Sequence, residues 1–229
     1  MGVTDARSDD KKRADRSIRA VRKQLDYIDD PWVLGKHIEG LLARDKFDDA
    51  LTMVELASKK IQTTVSWNHL IDHLLKKQQM KKAMATFNNM KKRAQFPNAQ
   101  TFTIIFRGLA TSDHPKNAVV EAIKLFNQMK NDRRLQPNTI HLNAVLSVCS
   151  RAYDIDHLFL VAAGFEDLNL QPTAATYAII FGGMRQYMWR EYTTLDKENR
   201  EANTRTMVNR AKNIWVEHGP PAARLQGAS

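Results

Sequence analysis

From Thr64 to Asn98 the chain reads TVSWNHLIDHLLKKQQMKKAMATFNNMKKRAQFPN, and the rest of it is built from looser versions of that stretch. Trp67, Leu70, Ile71 and Leu74 fall at offsets 0, 3, 4 and 7, which is one face of an amphipathic helix. Ala83, Met84, Phe87 and Met90 follow at offsets 0, 1, 4 and 7 and mark a second helix with its own apolar stripe. Lys77-Gln78-Gln79 leaves room only for a tight turn, so the two helices lie antiparallel. Pro97 closes the unit, because proline cannot continue a helix and steers Phe96 away from helical backbone.

The leading apolar residues Leu34, Trp67, Phe102, Leu142 and Tyr177 are spaced by 33, 35, 40 and 35. Each opens a first-helix stripe: Leu34/His37/Ile38/Leu41, Phe102/Ile105/Phe106/Leu109, Leu142/Val145/Leu146/Cys149 and Tyr177/Ile180/Phe181/Met184. The matching second helices carry Ala50/Leu51/Val54/Ala57, Ala122/Ile123/Phe126/Met129 and Leu158/Phe159/Ala162/Phe165. Prolines close units at Pro97, Pro137 and Pro172. Helix pairs at such a period predict an all-α solenoid, since one pair cannot bury its own apolar face and stacked pairs can. The units are about 31–63, 64–98, 99–138, 139–173 and 174–217. Within the third, extra residues around Ser112-Asp113-His114-Pro115 predict a longer turn, with Asp113 capping the following helix. In the last unit, Gly182-Gly183 predicts a break or bend, and residues 198–217 predict a displaced closing helix. No segment alternates with period 2, so no strands are expected.

The Trp67-Asn68 start, the Ala83-Met84 to Phe87 to Met90 second helix and the terminal Pro97-Asn98 resemble a pentatricopeptide repeat. The resemblance is strong over 64–98, good over 99–138 and 139–173, weak over 31–63 and half present after 174. Tetratricopeptide repeats are the near neighbour, but they want Gly and Tyr late in the first helix, where this chain has Leu74 and Lys76. The resemblance implies a right-handed α-solenoid that binds single-stranded RNA in an organelle, most naturally the mitochondrion. The role it implies is RNA processing, stability, ribosomal RNA maturation or translation. A ribonucleoprotein or mitoribosome-associated protein is a further implied partner. A helical-repeat scaffold or structural ribonucleoprotein subunit is the second reading.

Carried over by position, the resemblance pairs Asn68 with Asn98, Thr103 with Asn138, and Asn143 with Thr173 as base-reading residues. It implies a pyrimidine for the first pair, adenine for the second and leaves the third open. Asn offers a donor and an acceptor, and Thr a short hydroxyl, so the chemistry suits base edges. Gly35 and Ala178 hold the equivalent places in the outer units and can read nothing. Val65 and Ile140 occupy the position that clamps the base from the side. Lys76 and Arg151 share a position near the first-helix end from which a cation reaches phosphate.

A formal net charge of +10 fits an anionic partner. The lone Cys149 falls on an apolar stripe and reads as a small core residue. Residues 1–29 form a charged extension of helical character, and Asp5, Asp9, Asp10 and Asp15 argue against a mitochondrial transit peptide. Residues 218–229 read as a disordered tail or the stub of a longer protein. His69 and His73 stand four apart on one helix, but HLIDH lacks the glutamate of a zinc protease and no third ligand suggests itself. No Gly-rich phosphate loop or nucleophile elbow is present, so neither an enzyme nor a cofactor or metal is expected, and no apolar run approaches a membrane span.

Overall fold

The computed structural model describes residues 30–192 and 197–218, with Arg19, Lys23 and Ile28; the rest of the 1–29 extension and the tail after 218 lie outside the described residues. Among the described residues ten helices follow one another: α1 Pro31–Ala43, α2 Phe47–Ala57, α3 Thr64–Lys76, α4 Met80–Lys92, α5 Ala99–Ala110, α6 Pro115–Asn131, α7 Thr139–Arg151, α8 Ile155–Asp167, α9 Ala174–Tyr192 and α10 Lys197–His218. There is no strand among the described residues. Among the described residues no helix is long and apolar enough to cross a membrane. The chain divides into two compact units, Met1–Ile105 and Phe106–Ser229, the division falling inside α5.

In the first unit α1 packs on α2 and α3, and α3 packs on α2 and α4. Asp30 starts α1 by accepting the Trp32 N–H at 2.7 Å, with Pro31 at the first helical position. Leu34, Ile38, Trp67, Leu70, Ile71, Phe87 and Met90 are fully or almost fully buried, each large one contributing roughly 1.5–3 kcal/mol by leaving water. Phe87 meets Phe102 edge-on at 5.9 Å. A buried polar knot joins consecutive pairs here. Gln95 Oε1 accepts the Thr63 N–H at 2.7 Å, Gln95 Nε2 donates to the Ser58 carbonyl at 3.1 Å, and Trp67 Nε1 donates to Ser58 Oγ at 3.0 Å.

In the second unit α7 packs on α6, α8 and α9, and α9 also touches α8 and α10. Leu142, Val145, Leu146 and Cys149 are buried as the spacing requires, and burial pushes the Cys149 thiol up to about 12.

The second-helix stripe differs from its expected spacing. Leu51, Met84, Ile123 and Phe159, at offset 1, are only half-buried, while Met53, Thr86, Leu125 and Val161, at offset 3, are buried. Offset 3 lies on the same helical face as offsets 0, 4 and 7, whereas offset 1 is turned 100° away. Gly182-Gly183 does not break α9, which runs unbroken over 19 residues. A Cβ on Gly183 would stand 2.7 Å from Leu158 Cδ1 and 2.9 Å from Ser150 Oγ, so this glycine serves close approach of α9 to its neighbours. Nor does Asp113 cap α6: the N-cap is His114, whose N–H donates to Ser112 Oγ at 3.2 Å. The third unit's extra length goes into that turn and into α6, which has 17 residues against 11 in α2 and 13 in α4.

Candidate nucleic-acid interface

Each first helix from α5 onward begins with the same local device. Asn98, Asn138 and Thr173, the last residues of their units, cap α5, α7 and α9. The Asn98 side-chain oxygen accepts the Thr101 N–H at 2.9 Å, and Thr101 Oγ1 accepts the Asn98 N–H at 3.1 Å. Asn138 accepts the N–H groups of Ile140 and His141 at 3.0 and 3.2 Å, while His141 Nδ1 accepts the Asn138 N–H at 3.1 Å. Thr173 and Thr176 repeat the exchange at 3.3 and 2.9 Å. This reciprocal arrangement is a capping box with unusual members. Thr101, His141 and Thr176 are fully buried polar groups that the sequence reading passed over. The signal was there: each stands three residues after Asn or Thr.

The first of these caps holds one predicted reading residue, Asn68, in place. Asn68, near the start of α3, is 5% exposed. Its Oδ1 accepts from Thr101 Oγ1 at 2.8 Å, and its Nδ2 lies 3.5 Å from Asn98 Oδ1, the outer limit of a hydrogen bond. Asn68 and Asn98 therefore meet, but Asn68 is part of the seam rather than freely displayed. Asn98 itself is exposed, and its Nδ2 has no partner among the described residues. Thr103, half-buried in the first unit, turns its hydroxyl back to the Ala99 carbonyl at 3.1 Å; its expected partner Asn138 is exposed in the second unit. Asn143 is half-buried, its Oδ1 is fully covered, and that atom has no hydrogen-bond partner; Thr173 is exposed. Val65 and Ile140, the clamp positions, are apolar side chains left 50% and 62% exposed.

The two phosphate candidates differ. Lys76 Nζ pairs with Asp72 at 2.6 Å, one turn back on α3. Arg151 is exposed at the end of α7 with no partner among the described residues. Acids also line the first unit: the Lys36 ammonium and His69 beside Glu39 hold its carboxyl below the usual range, as the Lys77 ammonium does for Asp45. His69 and His73 face Glu39 and Asp45 at 3.5 and 3.7 Å, and no cluster of three metal-ligating side chains occurs among the described residues.

Residues 62–111, which contain Asn68, Asn98 and Thr103, match the model of the PPR repeat family, the pentatricopeptide repeat. Over that stretch the chain carries a pentatricopeptide repeat. It is similar to a chloroplastic pentatricopeptide repeat-containing protein of Arabidopsis thaliana, 28% identical over 53% of this chain and 15% of the relative. A second Arabidopsis pentatricopeptide repeat-containing protein is 33% identical over 48% of this chain and 17% of its own length. The chain thus spans about a sixth of these curated relatives. The pentatricopeptide domain of the Arabidopsis thaliana protein-only RNase P 1, crystallised in complex with tRNA, superposes with a TM-score of 0.53 at 16% identity. That likeness covers 86% of this chain and 96% of the domain, and it shows the helical-repeat solenoid fold.

Proposed function

We propose that this chain binds single-stranded RNA along its first helices, reading bases with Asn68/Asn98, Thr103/Asn138 and Asn143/Thr173. The meeting of Asn68 and Asn98, far apart in sequence, carries the reading. Nδ2 of the buried Asn68 points at Asn98 Oδ1 and helps place the exposed Asn98, whose own open Nδ2 is the amide donor presented where a base edge would sit. The O2 carbonyl common to both pyrimidines accepts such a donor. Val65 and Ile140 supply apolar sides for the base, and Lys76 and Arg151 supply charge for the backbone. Three pairs at about one base each specify a very short tract, so a partner or a longer parent chain completes the target. A mitochondrial role in RNA processing, stability, ribosomal RNA maturation or translation is the biological setting we infer from the family, whose members similar to this chain include one named chloroplastic. The fold's likeness to a domain crystallised with tRNA supports an RNA partner.

A second reading, a scaffold for a protein partner, is favoured by an apolar groove between α9 and α10. It has a volume of about 430 Å³ and is walled by Phe181, Met184, Met188, Met207 and Val208. Filter-binding titrations with uridine-rich and adenosine-rich single strands over a range of salt separate the two. RNA binding gives an affinity that falls steeply with salt and differs between the strands. A flat salt response with no strand preference would leave the scaffold reading standing.

A further inference from the structure

The fifth unit has lost its reading residue, since Ala178 stands where Asn68, Thr103 and Asn143 stand in the others. Small side chains nevertheless open a hollow of about 820 Å³ there, bordered by Ser147, Arg151, Tyr153, Ala178, Gly182 and Gln186. Nothing lies within 4 Å of where a Cβ on Gly182 would be. Tyr153 and Gln186 also border a second hollow of about 600 Å³, completed by Arg185, Trp189 and Arg190. The depression around Tyr153 and Gln186 thus comprises two adjoining hollows.

Its chemistry is narrow. Trp189 is 76% exposed, although a tryptophan on a soluble surface is ordinarily covered. Tyr153 sits in left-handed backbone at the α7–α8 turn (φ 56°), 42% exposed, with the Arg190 guanidinium stacked over its ring at 5.0 Å. Arg151 and Arg185 are exposed on either side. Of the nearby acids, Asp154 is engaged with His157 at 2.9 Å. Aromatic faces ringed by guanidinium groups, with no built-in hydrogen-bonding pair at the reading position, match a stacked base flanked by phosphates.

We infer that this depression holds a nucleotide of the unpaired strand by stacking on Trp189 and Tyr153 and by phosphate pairing with Arg151 and Arg185, without reading the base. The site rests on the RNA-binding reading above and gives the degenerate unit a sequence-independent anchoring role. The test compares wild type with Trp189→Ala, Trp189→Phe and Arg185→Ala on uridine-rich and adenosine-rich single strands, with thermal midpoints checking the fold. Trp189→Ala is expected to weaken both strands alike, about ten-fold, and Trp189→Phe to recover most of that. Arg185→Ala is expected to shrink the slope of log affinity against log salt by about 0.7. Wild-type affinity in Trp189→Ala, or a loss confined to one strand, would overturn the site while leaving RNA binding intact. A wild-type chain that binds neither strand would remove both readings.

Discussion

Ala94 follows α4 with φ 55°, in the left-handed region that L side chains resist. Its side chain is exposed. Glycine there removes a penalty of roughly 1–2 kcal/mol, partly offset by the freedom it adds to the unfolded chain. Ala94→Gly should therefore raise stability by about 0.5–1 kcal/mol, read from denaturant midpoints. His73 makes stability respond to mild acid. Burial of the imidazole, 18% exposed and stacked on Phe47 at 6.2 Å, lowers its pKa, and the Lys77 charge adds to this while Asp45 and Asp72 oppose it. The folded chain then binds fewer protons than the unfolded one near pH 6.5 and below. Its contribution is complete above the unfolded pKa and is lost as pH falls through the folded value. The thermal midpoint should drop on acidification below about pH 6.5, and His73→Gln should show a smaller drop.

Two adjacent glycines in α9 separate propensity from packing. A Cβ at Gly182 meets open space, so Gly182→Ala gains most of the roughly 1 kcal/mol helical advantage of alanine. At Gly183 the same Cβ would press on the Leu158 methyl and on Ser150 Oγ and Cβ, at 2.7, 2.9 and 3.1 Å. Overpacking of that kind costs more than propensity returns, so Gly183→Ala should lower stability by roughly 1 kcal/mol. Urea unfolding of the two variants, with opposite shifts in midpoint, is the measurement; equal shifts would mean that α9 moves aside freely. The capping boxes act at this scale too. Asn98, Asn138 and Thr173 each have one side-chain oxygen committed to starting a helix, so any role toward RNA falls to what remains, the open amide donors of the asparagines.

For the molecule as a whole, the basic balance of +10 is unevenly available. Lys76 is tied to Asp72 and Lys77 to Asp45 in the first unit, whereas Arg151 and Arg185 stand exposed in the second. Arg151→Ala should weaken RNA binding several-fold and reduce its salt dependence, and Lys76→Ala should do distinctly less, because Asp72 already neutralises that charge. Filter binding at two salt concentrations decides it. Equal effects would place both cations on phosphate.

The repeat and nearly every helix were legible in the chain, because stacked helix pairs impose a period that apolar residues must obey. Trp67, Leu70, Ile71 and Leu74 are buried as their spacing requires, and the Lys77-Gln78-Gln79 turn lies where the pattern leaves room for it. Offset 3 of the second helices was hidden where Thr86 occupies it, since a buried threonine carries no hydropathic signal. Whether Gly183 bends α9 or admits a neighbour, whether Lys76 is free or paired, and whether Asn68 is displayed or bonded to Thr101 depend on atoms supplied by other helices. Local sequence determines which face of a helix is apolar; only the tertiary structure decides which polar group on the remaining faces is already satisfied and which is left for a ligand.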